Sequence, residues 1–414
     1  MDWFRYRGDA LFCEEVPLAE LGAIHGTPLY VYSARTIRER FAAIEAAYAS
    51  VPHLICYAMK ANDNLSIVRM LAERGAGVDI VSGGELFRAR RAGVPADRII
   101  FAGVGKTRAE IAHAVDEGVL LFNVESADEL EVIAEVAAER RHTARVSVRV
   151  NPDVDPRTHP YISTGLRKNK FGIPSDQVLA VYRRARAAPF VEPIGIQMHI
   201  GSQLVQVQPI VDAVERLADL VQRLRREGID IRYLDIGGGL GIRYRDENPE
   251  GPAVLAERIL PTVRDLGVTL LCEPGRFLVG SAGALLTRVL YRKENGAKIF
   301  IIVDAAMNDL IRPALYDAYH EIWPVRRTDE PSEVVDVVGP VCESGDFFAH
   351  DRPLPRTQAG DLLAVLCAGA YGFSMASTYN ARPRPAEVLV TDSTYRLIRR
   401  RETYEDLVRT EEGL

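Results

Sequence analysis

Short apolar runs of β-type residues alternate with helix-like stretches between about residue 50 and residue 275. The apolar runs predict eight strands, at residues 53–59, 77–81, 98–101, 119–123, 145–150, 194–200, 231–236 and 268–272. The stretches between them carry apolar positions at helical spacing, at residues 64–74, 84–92, 106–117, 126–140, 207–227 and 253–266. Eight strand and helix units in succession predict an α/β fold, a TIM-type (β/α)8 barrel around a parallel sheet.

The pattern changes after about residue 280, where β-rich segments are separated by turn signals. They are LLTRVLYRKE, KIFIIVDA, SEVVDVVGPVC, GDLLAVLCAGAYG and AEVLVTDSTYRLIRRR. A chain of 414 residues is long enough for two cores, and no Pro/Ser-rich linker separates the two patterns. We therefore predict a barrel over residues 36–280 and a mostly β domain formed by residues 1–35 and 281–414.

Composition and charge argue against several classes of protein. Hydrophobic residues make up 47% and charged residues 26%, and no apolar run approaches the roughly 18 residues of a membrane helix. The net charge of -6 comes from interspersed acids and bases, without the basic stripe that nucleic-acid binding needs. Five cysteines without CxxC spacing argue against a disulfide framework and a structural zinc site, and no metal signature is present. Since the N-terminus also lacks the features of a signal peptide, we expect a cytoplasmic protein.

Polar residues follow several of the predicted strands directly. The carboxyl ends of the strands are where TIM barrels carry their active sites, so these residues are the candidates for catalysis and ligand binding. The candidates are Lys60 after strand one, Asp79 and Glu85 around strand two, His199 with Gly201 and Ser202 at strand six, the glycines Gly237 to Gly239 after strand seven, and Glu273 with Arg276 after strand eight.

Each candidate has an ordinary structural explanation beside the chemical one. Lys60 can be a solvated charge, or a partly desolvated amine whose lowered pKa lets it form an imine with an aldehyde cofactor. The triplet Gly237–Gly239 can be a turn, or a phosphate site at the loops after strands seven and eight. His199 can be a core residue or can stack on a cofactor ring, and Glu273 can be a surface charge or can pair with a pyridine nitrogen. The chain lacks GxGxxG and Walker spacing, which makes NAD and ATP poor candidates.

The segments YAMKAN, GVDIVSGGEL, HIGSQ, GGGLG and EPGR resemble those of the fold-type III pyridoxal-phosphate decarboxylases, which have an alanine racemase-like barrel. The resemblance covers nearly the whole chain. It implies that pyridoxal 5'-phosphate bonds to Lys60, that His199 stacks on its ring and that Glu273 pairs with its pyridine nitrogen. The further cofactor-binding residues that it implies are Asp79, Ser202, Gly238, Gly239, Gly275, Arg276 through its backbone, and Tyr371.

The resemblance also implies a homodimer in which the β domain of one copy completes the active site of the other. Cys342 and Glu343, in the segment CESGD, would then act in the site of the neighbouring copy, with Cys342 as the catalytic proton donor. The expected partners are a second copy of the chain and a small amino-acid substrate, with no nucleic acid and no membrane.

Four segments are similar to the branch of the family that decarboxylates meso-2,6-diaminopimelate to L-lysine and carbon dioxide, the last step of lysine biosynthesis. They are residues 159–173, 304–316, 339–346 and 369–380. The distal end of that substrate carries a carboxylate and an ammonium, so its recognition needs both cations and an anion. The residues expected to bind it are Arg276, Arg312, Tyr316, Glu343 and Tyr371.

Two alternatives stay open. A related decarboxylase could act on a carrier-linked amino acid, carboxynorspermidine, ornithine or arginine, although a pair of arginines would repel a substrate with only a distal ammonium. A regulatory relative could have kept the fold without the chemistry. The joint presence of Lys60, His199, Glu273 and Cys342 argues against that second alternative.

Overall fold

The computed structural model describes residues 3–154, 170–296 and 298–412. Contacts divide the chain into two compact units, of which the barrel unit comprises Phe41–Ile242 and Asn248–Phe277. The β unit comprises Met1–Arg40, Arg243–Glu247 and Leu278–Leu414. The short segment Arg243–Glu247 therefore belongs to the β unit, although it lies inside the span 36–280 that the sequence predicts for the barrel.

The N-terminal part of the chain lies in the β unit as far as Arg40, which is within the second helix. A small antiparallel sheet of three strands comes first, and a helix, a strand of the larger sheet and a second helix follow it. These elements are β1 (Phe4–Arg7), β2 (Ala10–Cys13), β3 (Val16–Pro17), α1 (Leu18–His25), β4 (Leu29–Ser33) and α2 (Ala34–Tyr48).

The barrel unit contains a closed ring of eight parallel strands. Each strand pairs with the next along the chain, β8 pairs with β9, and β13 pairs back onto β5, while the two-residue β10 adds to β9. The predicted TIM-type barrel is thus confirmed, and each of the eight predicted strands overlaps an observed one. The strands are β5 (His53–Ala58), β6 (Gly77–Ile80), β7 (Ile99–Phe101), β8 (Leu121–Val124), β9 (Ala144–Asn151), β10 (Ile173–Pro174), β11 (Val191–Gln197), β12 (Tyr233–Asp235) and β13 (Thr269–Cys272).

Helices connect these strands, and local sequence sets their ends. Ser126 begins one helix as a cap, because its side chain accepts a hydrogen bond from the Glu129 N–H, and Thr107 with Glu110 forms a capping box at another. Gly267 ends a third in the left-handed conformation that glycine adopts readily. The helices are α3 (Leu65–Ala72), α4 (Gly83–Arg91), α5 (Arg108–Glu117), α6 (Ala127–Arg140), α7 (Val178–Ala187), α8 (Gln208–Arg226), α9 (Pro252–Leu266) and α10 (Arg276–Val279).

Apolar side chains from several strands pack against one another in the barrel. Cys56, Ile100, Leu121 and Leu271 are fully buried in one cluster with Ile194. Such packed layers make a TIM barrel a solid core rather than a pore, so its polar chemistry is confined to the ends of the strands.

The C-terminal part of the β unit is built on a large sheet. Its order is β18-β17-β15-β14-β4-β20-β21, with β19 on β14 and β16 on β19, so the N-terminal β4 is a central strand. The sequence did not predict β16 and β18. In the described parts of the chain, no helix has the length and apolar character needed to cross a membrane. The elements are β14 (Gly283–Asn295), β15 (Lys298–Val303), α11 (Arg312–Tyr316), β16 (Ile322–Pro324), β17 (Ser332–Val338), β18 (Phe347–Pro355), β19 (Leu362–Val365), β20 (Ala386–Thr391), β21 (Thr394–Arg399) and α12 (Tyr404–Val408).

Candidate active site

Lys60 lies in a single 3-10 turn, Met59–Ala61, directly after β5. Its Nζ donates a hydrogen bond to Asp79 Oδ2 at 2.8 Å. The parallel register brings the two together, because Ala58 at the end of β5 is opposite Asp79 in β6. The Asp79 side chain is fully buried, whereas 40% of the Lys60 side chain is exposed. The buried carboxylate therefore anchors an amine that a ligand can reach.

Glu273 directly follows β13 and lies in a buried network of amides and carboxyls. Asn123 Nδ2 donates to Glu273 Oε1 at 3.1 Å, and Gln197 Nε2 donates to Oε2 at 3.3 Å. Burial, followed by the neighbouring charge of Asp235, raises the pKa of Glu273 well above 4.5. Burial also raises the pKa of Asp235 to about 6. The two hydrogen-bonded carboxyls therefore retain a proton at neutral pH, and Glu273 can share it with a ring nitrogen.

His199 lies two residues after the end of β11, next to the glycine triplet. The Gly238 N–H donates to His199 Nδ1 at 3.2 Å, which places the proton of the neutral ring on Nε2. Burial is the main reason that the pKa of His199 falls well below 6.5, and the charges of Arg149 and Lys60 lower it further. A neutral, flat imidazole is suited to stacking on an aromatic ring.

The triplet Gly237–Gly239 tolerates no side chain. A Cβ on Gly238 would lie 2.3 Å from the carbonyl oxygen of Glu273, and a Cβ on Gly239 would lie 2.7 Å from that of Gly201. Gly239 also has a φ of +115°, a conformation that favours glycine. These contacts leave a bare backbone after β12, as close binding of a phosphate group requires.

Three further residues complete the candidate phosphate site in the barrel unit. Gly275 packs against the β5 end of the barrel, since a Cβ there would lie 3.0 Å from the Cβ of Ala61. Arg276 follows as the first residue of α10, and its Nη2 lies 3.3 Å from Ser202 Oγ. A bare backbone and a hydroxyl together fit a phosphate, so the residues present suit a phosphate-bearing ring with a basic nitrogen.

The predicted substrate residues of the β unit include Arg312, Tyr316 and Tyr371. Arg312 begins α11 and is only 6% exposed, and Tyr316 ends the same helix half-buried. Tyr371 has a φ of +56°, which is uncommon for a non-glycine residue and recurs at functional sites. These backbone and burial features distinguish the three residues from ordinary surface positions.

Cys342 and Glu343 lie on an exposed loop that a buried acid holds in place. Asp346 Oδ1 and Oδ2 accept hydrogen bonds from the N–H groups of Met307 and Val341, both at 2.7 Å. Cys342 is exposed, whereas the four other cysteines are buried. The loop thus presents a thiol and a carboxylate on the surface of the β unit. The predicted segment 159–173 lies largely outside the described residues, which omit residues 155–169.

Four residues of this site were not singled out from the sequence: Asn123, Gln197 and Asp235 around Glu273, and Arg149 beside His199. Each is a polar residue inside or at the end of a barrel strand, and Asn123 and Asp235 interrupt the short, mostly apolar strands LFNV and YLD. Burial of such a group is costly unless it is hydrogen-bonded, so these interruptions were a signal that the sequence offered.

Comparisons with known proteins agree with this geometry. The family model of the pyridoxal binding domain of pyridoxal-dependent decarboxylases matches residues 34–280. The diaminopimelate decarboxylase of Pseudomonas aeruginosa is 53% identical over 407 residues, which cover 98% of this chain and 98% of that protein. That of Aquifex aeolicus is 51% identical over 407 residues, covering 98% and 96%.

Solved structures extend the similarity to the whole fold. Diaminopimelate decarboxylase from Helicobacter pylori, complexed with L-lysine, has a TM-score of 0.93 at 45% identity and covers 96% of this chain and 100% of that one. The enzyme from M. jannaschii, in co-complex with L-lysine, has a TM-score of 0.95 at 40% identity, covering 100% and 98%. The chain therefore belongs to the pyridoxal-dependent decarboxylases, and within them to the diaminopimelate decarboxylase family.

Proposed function

We propose that this protein decarboxylates meso-2,6-diaminopimelate to L-lysine and carbon dioxide with pyridoxal 5'-phosphate, as a cytoplasmic homodimer. One observation carries the proposal. The barrel mouth combines an accessible lysine on a buried acid, Lys60 on Asp79, with a proton-holding carboxyl at Glu273. The names of the relatives and the L-lysine in two of the solved neighbours support this substrate.

In this proposal each of the barrel residues acts on a different part of the cofactor. When bound, pyridoxal phosphate supplies an aldehyde carbon that takes up amines and a ring that accepts the electron pair left by departing carbon dioxide. Lys60 Nζ would be the amine that holds that carbon, and Asp79 orients Nζ by accepting its hydrogen bond. Glu273, whose pKa is raised, would offer a protonated carboxyl to the ring nitrogen, and His199, whose pKa is lowered, would stack as a neutral ring on the cofactor.

The phosphate of the cofactor is assigned to backbone and hydroxyl groups. In this proposal the backbone N–H groups of Gly238, Gly239, Gly275 and Arg276 would donate to its oxygens, together with the hydroxyls of Ser202 and Tyr371. The close packing around the glycines supports this role, because a larger residue would push the backbone away from an anion.

The substrate's distal amino-acid group is assigned to charged residues and tyrosines. Arg312 and Arg276 would bind the distal carboxylate with Tyr316 and Tyr371, and Glu343 would bind the distal ammonium. A decarboxylase of ornithine or arginine needs only an acid for the distal cation, so two guanidinium groups favour a substrate that carries a second carboxylate.

Cys342 is assigned the final protonation, in the site of the second copy. Its thiol Sγ delivers a proton to the carbon that has lost carbon dioxide. The exposure of Cys342 and Glu343 on an anchored loop supports a role towards another copy. Mixing equal amounts of inactive Lys60→Ala and Cys342→Ala proteins tests this idea. Random exchange makes half of the dimers mixed, each with one intact site, so about a quarter of the parent activity should return. No recovery despite measured subunit exchange would overturn the shared site.

The substrate is tested by measuring carbon dioxide release from meso-diaminopimelate, L-ornithine, L-arginine and L-lysine with the purified protein and pyridoxal phosphate. Release should be fastest from meso-diaminopimelate, and preference for another compound would overturn the substrate. Lys60→Ala should lose the visible absorbance of the lysine-bound cofactor as well as activity. Lys60→Arg is the matched control that keeps the charge paired with Asp79, and it should fail in the same way because a guanidinium does not form the imine.

A further inference from the structure

Arg312 is held on two sides by residues of the β unit that the proposed function does not use. Its Nη1 lies 2.9 Å from His320 Nε2. Its guanidinium carbon lies 4.9 Å from the centre of the Tyr244 ring, in a cation–π contact. Tyr244 belongs to the short segment Arg243–Glu247, which joins the β unit from within the barrel sequence.

The contact of the other His320 ring nitrogen, Nδ1, shows which tautomer of the ring is present. His320 Nδ1 lies 2.8 Å from the carbonyl oxygen of Leu366. A carbonyl oxygen only accepts hydrogen bonds, so Nδ1 carries the proton and the neutral ring keeps a lone pair on Nε2. Nε2 therefore accepts a hydrogen bond from Arg312 Nη1. A doubly protonated ring would place an N–H and a positive charge against the guanidinium.

His320 itself cannot move easily. The residue is fully buried, and its ring packs edge-on to Tyr244 with centroids 5.6 Å apart and an interplanar angle of 84°. Its backbone carbonyl accepts a hydrogen bond from Arg352 Nη1 at 2.8 Å. The acceptor for Arg312 is thus anchored by its ring, its Nδ1 and its main chain.

We infer that His320 is a positioning residue which, with Tyr244, fixes the plane of the Arg312 guanidinium for the distal carboxylate of the substrate. A planar fork binds a carboxylate through two parallel hydrogen bonds only when its plane is aligned, and fixing that plane in advance lowers the entropy lost on binding. The inference rests on the proposed role of Arg312 as the carboxylate ligand.

Two polar, uncharged replacements of His320 separate its two hydrogen bonds. In His320→Asn the amide nitrogen takes the place of Nδ1 and still donates to Leu366, but no acceptor reaches Arg312. In His320→Gln the amide oxygen reaches the position of Nε2 and supplies that acceptor. A role in packing alone predicts similar effects of the two changes, whereas a role in orienting Arg312 predicts that only the first impairs binding.

The assay is calorimetric titration of the cofactor-loaded proteins with L-lysine, which retains the distal amino-acid group of the proposed substrate. His320→Asn should bind L-lysine about 10- to 100-fold more weakly, as expected for a lost hydrogen bond to a charged group. It should also raise KM for meso-diaminopimelate more than it lowers kcat. His320→Gln should recover most of the affinity. Unchanged binding by His320→Asn, or equal losses in both variants, would overturn the inference.

Arg312→Ala separates this inference from the proposed function. If that variant binds L-lysine as the parent does, the proposed role of Arg312 is wrong, whatever His320 does. If Arg312→Ala loses affinity and His320→Asn does not, Arg312 is the carboxylate ligand and His320 does not position it. The visible absorbance of the bound cofactor and the far-UV circular dichroism should match the parent in all three variants, which controls for loss of the fold.

Discussion

Replacing Glu125 should destabilise the barrel unit far more than replacing an exposed acid, because Glu125 neutralises a buried arginine. Its Oε1 accepts a hydrogen bond from Arg149 Nη1 at 2.6 Å, and its Oε2 accepts one from the Gly172 N–H at 2.7 Å. Only 2% of the Glu125 side chain and 8% of the Arg149 side chain are exposed. Arg149 Nη2 also lies 3.5 Å from the carbonyl oxygen of His199, so the pair supports the backbone of the candidate active site.

The size of the effect follows from this burial. Glu125→Leu leaves a buried guanidinium without its counter-ion, which costs about 3–5 kcal/mol, a large part of the roughly 5–15 kcal/mol that stabilises a native protein. Adding Arg149→Met removes the second charge at similar volume, so the double variant should recover most of that loss. The matched control is Glu131→Leu. The Glu131 side chain is 64% exposed and lies 3.4 Å from the Arg184 side chain, which is 61% exposed. Such a pair contributes at most about 1 kcal/mol.

Urea unfolding followed by far-UV circular dichroism, at one protein concentration for every variant, measures these differences. The single and double changes at Glu125 and Arg149 form a mutant cycle, whose coupling energy should be at least about 2 kcal/mol. The reasoning is refuted if Glu125→Leu and Glu131→Leu have the same unfolding midpoint. It is equally refuted if the double variant loses the sum of the two single losses.

Two further substitutions test the barrel mouth. Gly238→Ala should abolish cofactor binding, because its Cβ would lie 2.3 Å from the carbonyl oxygen of Glu273. Absorbance after dialysis measures the bound cofactor. Gly105→Ala is the control and should bind the cofactor normally, because a Cβ at Gly105 meets no atom within 4 Å. Asp235→Asn should stabilise the cofactor-free protein at neutral pH by up to about 3 kcal/mol, which corresponds to the rise in pKa from 3.8 to about 6. Because the pKa of Asp235 is higher in the folded state, the parent protein loses this stability as the pH rises from 3.8 to about 6. The variant should therefore have a higher urea midpoint than the parent at neutral pH but not below pH 3.8. A gain in urea midpoint that is equally large at acidic pH would contradict the explanation.

The barrel was predictable because its strands are buried on both faces. A run such as TLLC in β13 is apolar and buried after its first residue, and capped amphipathic helices separate such runs clearly. The β unit was harder to predict. Strand β18, FFAHDRPLP, contains two prolines and no regular alternation, and β16 has only three residues. These strands form through pairing with β17 and β19, which are tertiary contacts that local sequence does not encode.

The same limit applies to the active site. Lys60, His199 and Glu273 were predictable as candidates because each lies at or just after the end of a strand, where the active sites of barrels are found. Gln197 and Asp235 were not predicted because their proximity depends on the register between strands. The two residues are opposite each other in the parallel pairing of β11 and β12. The position of His320 beside Arg312 depends in the same way on packing within the β unit.

The barrel mouth buries more acid than base, and this imbalance accounts for the ring that it is proposed to bind. Asp79 and Asp235 are 1% and 0% exposed and Glu273 is 5% exposed, and Lys60 brings a positive charge to Asp79. The mutual repulsion of these acids is one cause of the raised pKa of Glu273. A neutral aromatic ring would leave that repulsion unchanged, but a protonated pyridine nitrogen brings a positive charge to Glu273 and removes part of it. In the proposed function, the buried acids that repel one another at the barrel mouth therefore favour a ring with a basic nitrogen.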